Sequence, residues 1–132
     1  MNKKVKGEID SVICAGDRNE SFSDMLLRLM KEKQLTGPEL YKAANVSKSV
    51  FSRLTSERGH TPRKHIALAF ALSLKLDQHE AEAFLKKAGY ALSDFIRSDV
   101  IVSYCISEEI NDVDEVNGIL HAYDLPLLGS RR

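Results

Sequence analysis

Three times between residues 21 and 80 a serine, threonine or aspartate stands three positions before an acidic residue: Ser21 before Asp24, Thr36 before Glu39, and Asp77 before Glu80. Such a pair satisfies two otherwise unpaired amides at a helix start, so each one marks a beginning. Ser47 can cap a further helix running through about Ser56, and Thr61 followed by Pro62 opens another. Pro38, in the first turn after Thr36, gives up no hydrogen bond that is needed there. Apolar residues follow the starts at helical spacing: Phe22, Met25, Leu26, Leu29 and Met30 in the first helix, Ile66, Leu68, Ala69, Leu72 and Leu74 in the fourth. Gly89 is placed to end the fifth. The expectation is five short helices in residues 21–90, with no strand alternation between them.

The periodicity continues past Gly89. Ser93 can cap a helix bearing Phe95, Ile96, Val100, Ile101, Tyr104 and Cys105, and Asn111 another bearing Val113, Val116, Leu120 and Tyr123, with acids filling its first turn. These make a helical hairpin in residues 91–130, whose apolar positions must pack on the bundle or on a second copy of the chain. In residues 1–20, Val5, Ile9, Val12 and Ile13 suit one helical face, although Gly7 weakens it; the role of this segment stays open. With 132 residues, the chain is long enough for one core with appended elements. No apolar run approaches the roughly 18 residues of a membrane span, and the start of the chain has no signal-like apolar stretch, so a cytoplasmic location is expected. Cys14 and Cys105 sit among apolar neighbours and read as two buried, reduced thiols.

Formal net charge is zero, but the charges segregate. Residues 31–65 hold Lys31, Lys33, Lys42, Lys48, Arg53, Arg58, Arg63 and Lys64 against Glu32, Glu39 and Glu57, with His60 and His65 in addition. Residues 91–130 hold Arg97 against eight acids, five of them at Glu108, Glu109, Asp112, Asp114 and Glu115. Two solvated faces would give such a pattern; so would a phosphate footprint in the middle of the chain with an acidic tail facing elsewhere.

The stretch TGPELYKAANVSKSVFSRL, residues 36–54, has the pattern of two helices crossing steeply through a short turn. Leu40, Ala43 and Ala44 supply one inner face; Val46, Val50, Phe51 and Leu54 supply the other. Asn45 is suited to the left-handed turn conformation. Tyr41 and Phe51 lean inward, as core or helix contacts rather than stacking platforms. Lys48, Ser49, Ser52 and Arg53 remain on the outer face of the second helix.

On these residues the chain resembles the Cro/C1-type, lambda-repressor-like helix-turn-helix family over residues 21–89. The resemblance implies an all-α, five-helix bundle whose helix from Lys48 lies in the major groove of DNA. It places Ser47, Lys48, Ser49, Ser52 and Arg53 at bases or adjacent phosphates, and Arg58, His60, Arg63 and Lys64 at the backbone. Lys42 and the amides at Thr36 and Gly37, at a helix start, are further candidates for phosphate. This sequence has Tyr41 where the family has alanine, Asn45 where it has glycine, and Gly37 where it often has glutamine. The phrases SFSDMLLRLMKEK, FLKKAGYALS, INDVDEVNGIL and YDLPLLG extend the similarity to a bacterial repressor-like module with a fixed helical tail, found alone or joined to macrodomain proteins.

Signals for a cofactor or a catalytic centre are lacking: His60, His65, His79 and His121 are scattered without metal-ligand spacing, and the sequence has no glycine-rich phosphate loop and no nucleophile elbow. The acidic run around Asp112 lacks the glycine turn of a calcium loop. The expectation is therefore a DNA-binding homodimer without enzymatic activity, cofactor or membrane partner. The alternative is a protein-interaction module, such as an antitoxin-like or adaptor component of a bacterial toxin or defence system, for which an apolar groove between bundle and tail would be the mark.

Overall fold

A computed structural model describes residues 2–17, 20–56 and 60–129, and among them the chain is all-helical, with no strand. The helices are α1 (Lys3–Asp17), α2 (Phe22–Glu32), α3 (Gly37–Ala43), α4 (Lys48–Ser56), α5 (Lys64–Ser73), α6 (Gln78–Lys87), α7 (Arg97–Ser107) and α8 (Val113–Ala122). The reciprocal capping boxes at Ser21, Thr36 and Asp77 all form, and Ser47 Oγ accepts from the Val50 amide at 3.2 Å. The other three starts are later than their sequence signals. Arg63, not Thr61, is the N-cap of α5, and it is extended in the manner of a cap residue, so that Pro62 stays outside the helix. Ile96, not Ser93, precedes α7, and Ser93 Oγ instead accepts from the amides of Phe95 and Ile96 in the approach turn. Asp112, not Asn111, caps α8, while Asn111 Nδ2 donates to the Glu109 carbonyl.

The helix ends follow one rule. After each of α2, α3, α5, α6, α7 and α8 a single residue takes positive φ: Gln34, Asn45, Lys75, Gly89, Glu109 and Asp124. The residue after it is apolar and its amide reaches back to a carbonyl in the last turn, at 2.8–3.2 Å: Leu35 to Met30, Val46 to Tyr41, Leu76 to Ala71, Tyr90 to Leu85, Ile110 to Cys105, Leu125 to Leu120. This closure satisfies the last carbonyls and tucks an apolar side chain under the helix it ends. Only Gly89 is a glycine. The other five accept the left-handed strain of a side chain beside an apolar neighbour that is buried at Val46 and Leu76 and half-buried at Leu35, Ile110 and Leu125.

Helix α5 lies at the centre, with Ile66, Ala67, Leu68, Ala69, Phe70, Ala71 and Leu72 all buried. It packs against α3, α6 and α8; α2 packs on α4 and α6, and α7 on α6 and α8. Phe22, Met25, Leu26, Leu29 and Met30 of α2 face this core as their spacing requires, and Phe22 stacks at a tilt on Phe84 with ring centroids 4.7 Å apart. Val102, Cys105, Ile106, Val113, Val116 and Leu120 join the same buried cluster, so α7 and α8 are walls of the core of this one chain. The expected inner face of α7 is rotated: Val102 and Ile106 are buried, whereas Phe95, Ile96, Val100 and Tyr104 are exposed, because the helix begins later and turns its 102–105–106 edge to α6 and α8. Tyr123 is exposed as well, and so is Ala43. Cys105 is buried as expected, but Cys14 is exposed, since the side chains from Lys3 to Cys14 on α1 meet no wall of the bundle.

Polar contacts fasten the tail to the bundle and fix the segments that flank it. Asp99, 3% exposed, accepts from Lys64 Nζ at 2.7 Å and from the Ser93 amide at 2.9 Å. A buried carboxylate is tolerated only when paired and hydrogen-bonded in this way. Tyr90 donates its hydroxyl to the Pro62 carbonyl at 2.8 Å. Asn117 clamps Leu128 by donating to its carbonyl and accepting from its amide, which carries the chain back across α5 to Gly129. There the backbone runs so close to the α3–α4 turn that a Cβ on Gly129 would sit 2.8 Å from the carbonyl oxygens of Ala44 and Asn45.

Two substitutions test this packing. Leu120→Ala removes a fully buried side chain of α8 and should cost about 2–5 kcal/mol in chemical denaturation, whereas Tyr123→Ala, at an exposed position, should stay within about 0.5 kcal/mol of the parent. Gly129→Ala adds a methyl group where backbone oxygens leave no room, at a φ of +86°. It should lower stability by about 1–3 kcal/mol and speed amide exchange at Leu128, and unchanged exchange there would show that the close approach does not persist in solution.

Candidate nucleic-acid interface

Helices α3 and α4 meet through the turn Ala44–Asn45–Val46. Leu40, Ala44, Val46 and Leu54 are buried and form the hinge of the pair. Asn45 has φ of +58°, the left-handed conformation its side chain tolerates, and its Nδ2 donates to Asp114 Oδ1 of α8 at 2.6 Å. Val50 and Phe51 are half-buried. Phe51 sits between Tyr41, at 5.5 Å between ring centroids, and Phe70, at 6.3 Å, so both aromatic rings serve the helix contact. The ring of Phe51 also explains Gly37: a Cβ there would lie 3.0 Å from Phe51 Cε2. The small residue at 37 and the large ones at 41 and 51 are thus a matched set.

With those residues inward, Lys48, Ser49, Ser52 and Arg53 are exposed on one face of α4, spaced at i, i+1, i+4 and i+5. Ser47, at the start of that face, is half-buried, spends its hydroxyl on the Val50 amide and lies 3.4 Å from Ser49 Oγ. Beyond the end of α4 the same face continues into a cleft of about 410 Å³, lined by Arg53, His60, Arg63 and His65 over a floor of Val50, Leu54, Pro62 and Ile66. Among the described residues that line it, none is acidic. His65 is held below its ordinary value of 6.5, first by burial and then by the Arg63 guanidinium. The sequence reading missed His65 as part of the site. The available signal was its position directly after Arg63 and Lys64 at a helix start.

The remaining expected phosphate contacts do not converge on this face. Lys64 is committed to Asp99. The Thr36 amide donates to Glu39 Oε1 at 2.9 Å, and the Thr36 amide and hydroxyl keep the Glu39 carboxyl below its usual range, so an anion already occupies the start of α3. Gly37 is half-buried beside Phe51. Lys42 is exposed but lines another cleft, with Lys75, Glu109, Asp112, Asp114 and Glu115, where the acidic α7–α8 turn faces it. Arg58 lies outside the described residues. The basic stretch of the sequence is therefore divided by the fold: Arg53, His60 and Arg63 gather beside α4, while Lys42 and Lys64 are turned to the acidic tail.

Among the described residues no group of histidine, cysteine, aspartate and glutamate side chains has the arrangement of a metal site, and no helix is long and apolar enough to cross a membrane. The chain matches no family model, no curated protein and no solved structure.

Proposed function

We propose that the chain is a lambda-repressor-like DNA-binding regulator, without enzymatic activity, that sets α4 into the major groove. The observation that carries this reading is the continuity of the exposed Lys48, Ser49, Ser52 and Arg53 face with the cleft of Arg53, His60, Arg63 and His65. A helix presenting short polar and long basic side chains from its first turn is suited to base edges, and a cleft beside it that carries Arg53, His60, Arg63 and His65 is suited to the backbone. Arg53 belongs to both and would mark the passage from groove to phosphate. This reading gives no part to Lys64, which is paired with Asp99, to Thr36, whose amide is taken by Glu39, to Gly37, which Phe51 covers, or to Lys42, which faces the acidic α7–α8 turn.

A second reading, a protein-interaction module, is favoured by the groove of about 570 Å³ between α6 and α7, lined by Tyr90, Ala91, Leu92 and Val100 together with Gln78, Glu82 and Lys86. It lies between bundle and tail, where such a module would take its partner. The two surfaces are distinct, so the two roles can coexist.

Fluorescence anisotropy with labelled duplexes selected from a random pool separates the contributions. Lys48→Ala and Arg53→Ala should each weaken the selected site by about 1–3 kcal/mol and relax its base preference. Arg63→Ala should weaken all duplexes alike and flatten the salt dependence by about one unit of slope. Retention of no duplex by the parent protein at low salt would remove the DNA reading and leave the interaction module.

His65 gives this interface a pH dependence. Because its value in the free protein is depressed, stability from its neutral form is full above 6.5 and is lost as the pH falls through the lower folded value. A phosphate in the cleft favours the imidazolium, so binding takes up a proton and duplex affinity should rise as the pH is lowered from about 7 to about 6. His65→Gln should reduce that rise, and an unchanged pH profile in the variant would exclude His65 from the interface.

A further inference from the structure

Two apolar helix faces in this chain have no cover. On α1, Val5, Ile9, Val12 and Ile13 are 43–71% exposed and fall at i, i+4, i+7 and i+8, a stripe about 12 Å long. A lone helix of this length is marginal in water, and Gly7 weakens it further. On α7, Ile96, Val100 and Tyr104 are 44–61% exposed at i, i+4 and i+8, again about 12 Å, and Phe95 at its start is 95% exposed. This second stripe borders the groove where Leu92, Tyr90 and Val100 come to the surface.

The charges beyond the ends of the two stripes are complementary in one orientation. Helix α1 begins with Lys3, Lys4 and Lys6, of which Lys6 pairs with Asp10 on its own helix at 2.9 Å, and α7 ends at Ser107 followed by Glu108 and Glu109. Laid antiparallel, Lys3 and Lys4 of α1 come to the end of α7 that carries these glutamates, the helix dipoles oppose, and Val5, Ile9 and Ile13 face Tyr104, Val100 and Ile96 in turn. The parallel orientation would put the lysines against Arg97 and leave the glutamates without a partner. The chain's own α1 is badly placed for this seat. Only residues 18–21 join it to α2, and α6 stands between α2 and α7, packing on both.

We propose that the α7 face is the docking site for α1 of a second copy, the two chains exchanging α1 reciprocally about a two-fold axis. Exchange of identical elements closes the assembly and covers both stripes of both chains, leaving no apolar face open to a third. The assignment does not rest on the DNA reading and uses none of its residues.

Sedimentation equilibrium of the full chain over a wide concentration range is the test. The parent chain should be dimeric, and Ile9→Glu and Val100→Glu should each raise the dimer dissociation constant at least tenfold with the core of the monomer still folded, since both positions are exposed in the single chain. Lys4→Glu should weaken the dimer, and the double variant with Glu108→Lys should restore it. The antiparallel register also sets Cys14, which is exposed, opposite Phe95, so Phe95→Cys should oxidise to a disulfide-linked dimer that the parent does not form. A monomeric parent chain overturns the proposal. So does a dimer that survives either glutamate substitution, which would put the contact elsewhere. A disulfide that closes within a single chain of the Phe95→Cys variant overturns it too, because it would give the seat to the chain's own α1.

Discussion

A helix that is apolar around its whole circumference needs a wall on every side, and α5 is such a helix, buried from Ile66 to Leu72. The five-helix segment alone leaves it partly open. Helix α8 closes the remaining side with Val113, Val116 and Leu120, and α7 backs α8 with Val102, Cys105 and Ile106. The burial of α5 therefore makes the acidic tail part of the same core, however different its charge.

That closure shapes the candidate interface. Folding the tail onto α5 brings Asp99 to Lys64, Asp114 to Asn45 and the acidic α7–α8 turn to Lys42. The basic stretch is thus sorted into residues that hold the protein together and residues that remain outward beside α4. The α3–α4 turn is pinned from two directions, by Asp114 on its side chain and by Gly129 against its carbonyls. A helix offered to a groove gains from such fixing, because binding then spends little on ordering it.

The departures from the family pattern also find a local reason. Tyr41, Phe51 and Gly37 are one packing unit: the ring of Phe51 rests over Gly37, and Tyr41 lies against the same ring at a tilt. A larger side chain at 37 would displace Phe51, and with it the contact to Phe70 of α5. Half-burial of both rings accommodates a phenol where a close helix crossing would have no room for one.

By itself the sequence determined the helices from α2 to α6, because capping boxes and apolar spacing act within one or two turns and need no distant partner. It also determined the exposed face of α4, since Leu54 and Val46 dictate which side turns inward. The one-residue shift at the start of α8 is local, Asn111 donating its side-chain amide to the Glu109 carbonyl two residues before it. The starts of α5 and α7 were decided by tertiary structure, since Pro62 is held by Tyr90 and Ser93 by the buried Asp99 that pairs with Lys64. Most helix ends escaped notice for a related reason, as Gln34, Lys75, Glu109 and Asp124 take left-handed backbone so that the amide of the next, apolar residue can close the last turn as it packs on the core. Which face of α7 is buried, whether Cys14 has a neighbour, and which basic residues stay outward depend on long-range packing and pairing. Charge counted along a chain carries no record of the partner that folding sets beside it, and for Lys64 that partner lies 35 residues away.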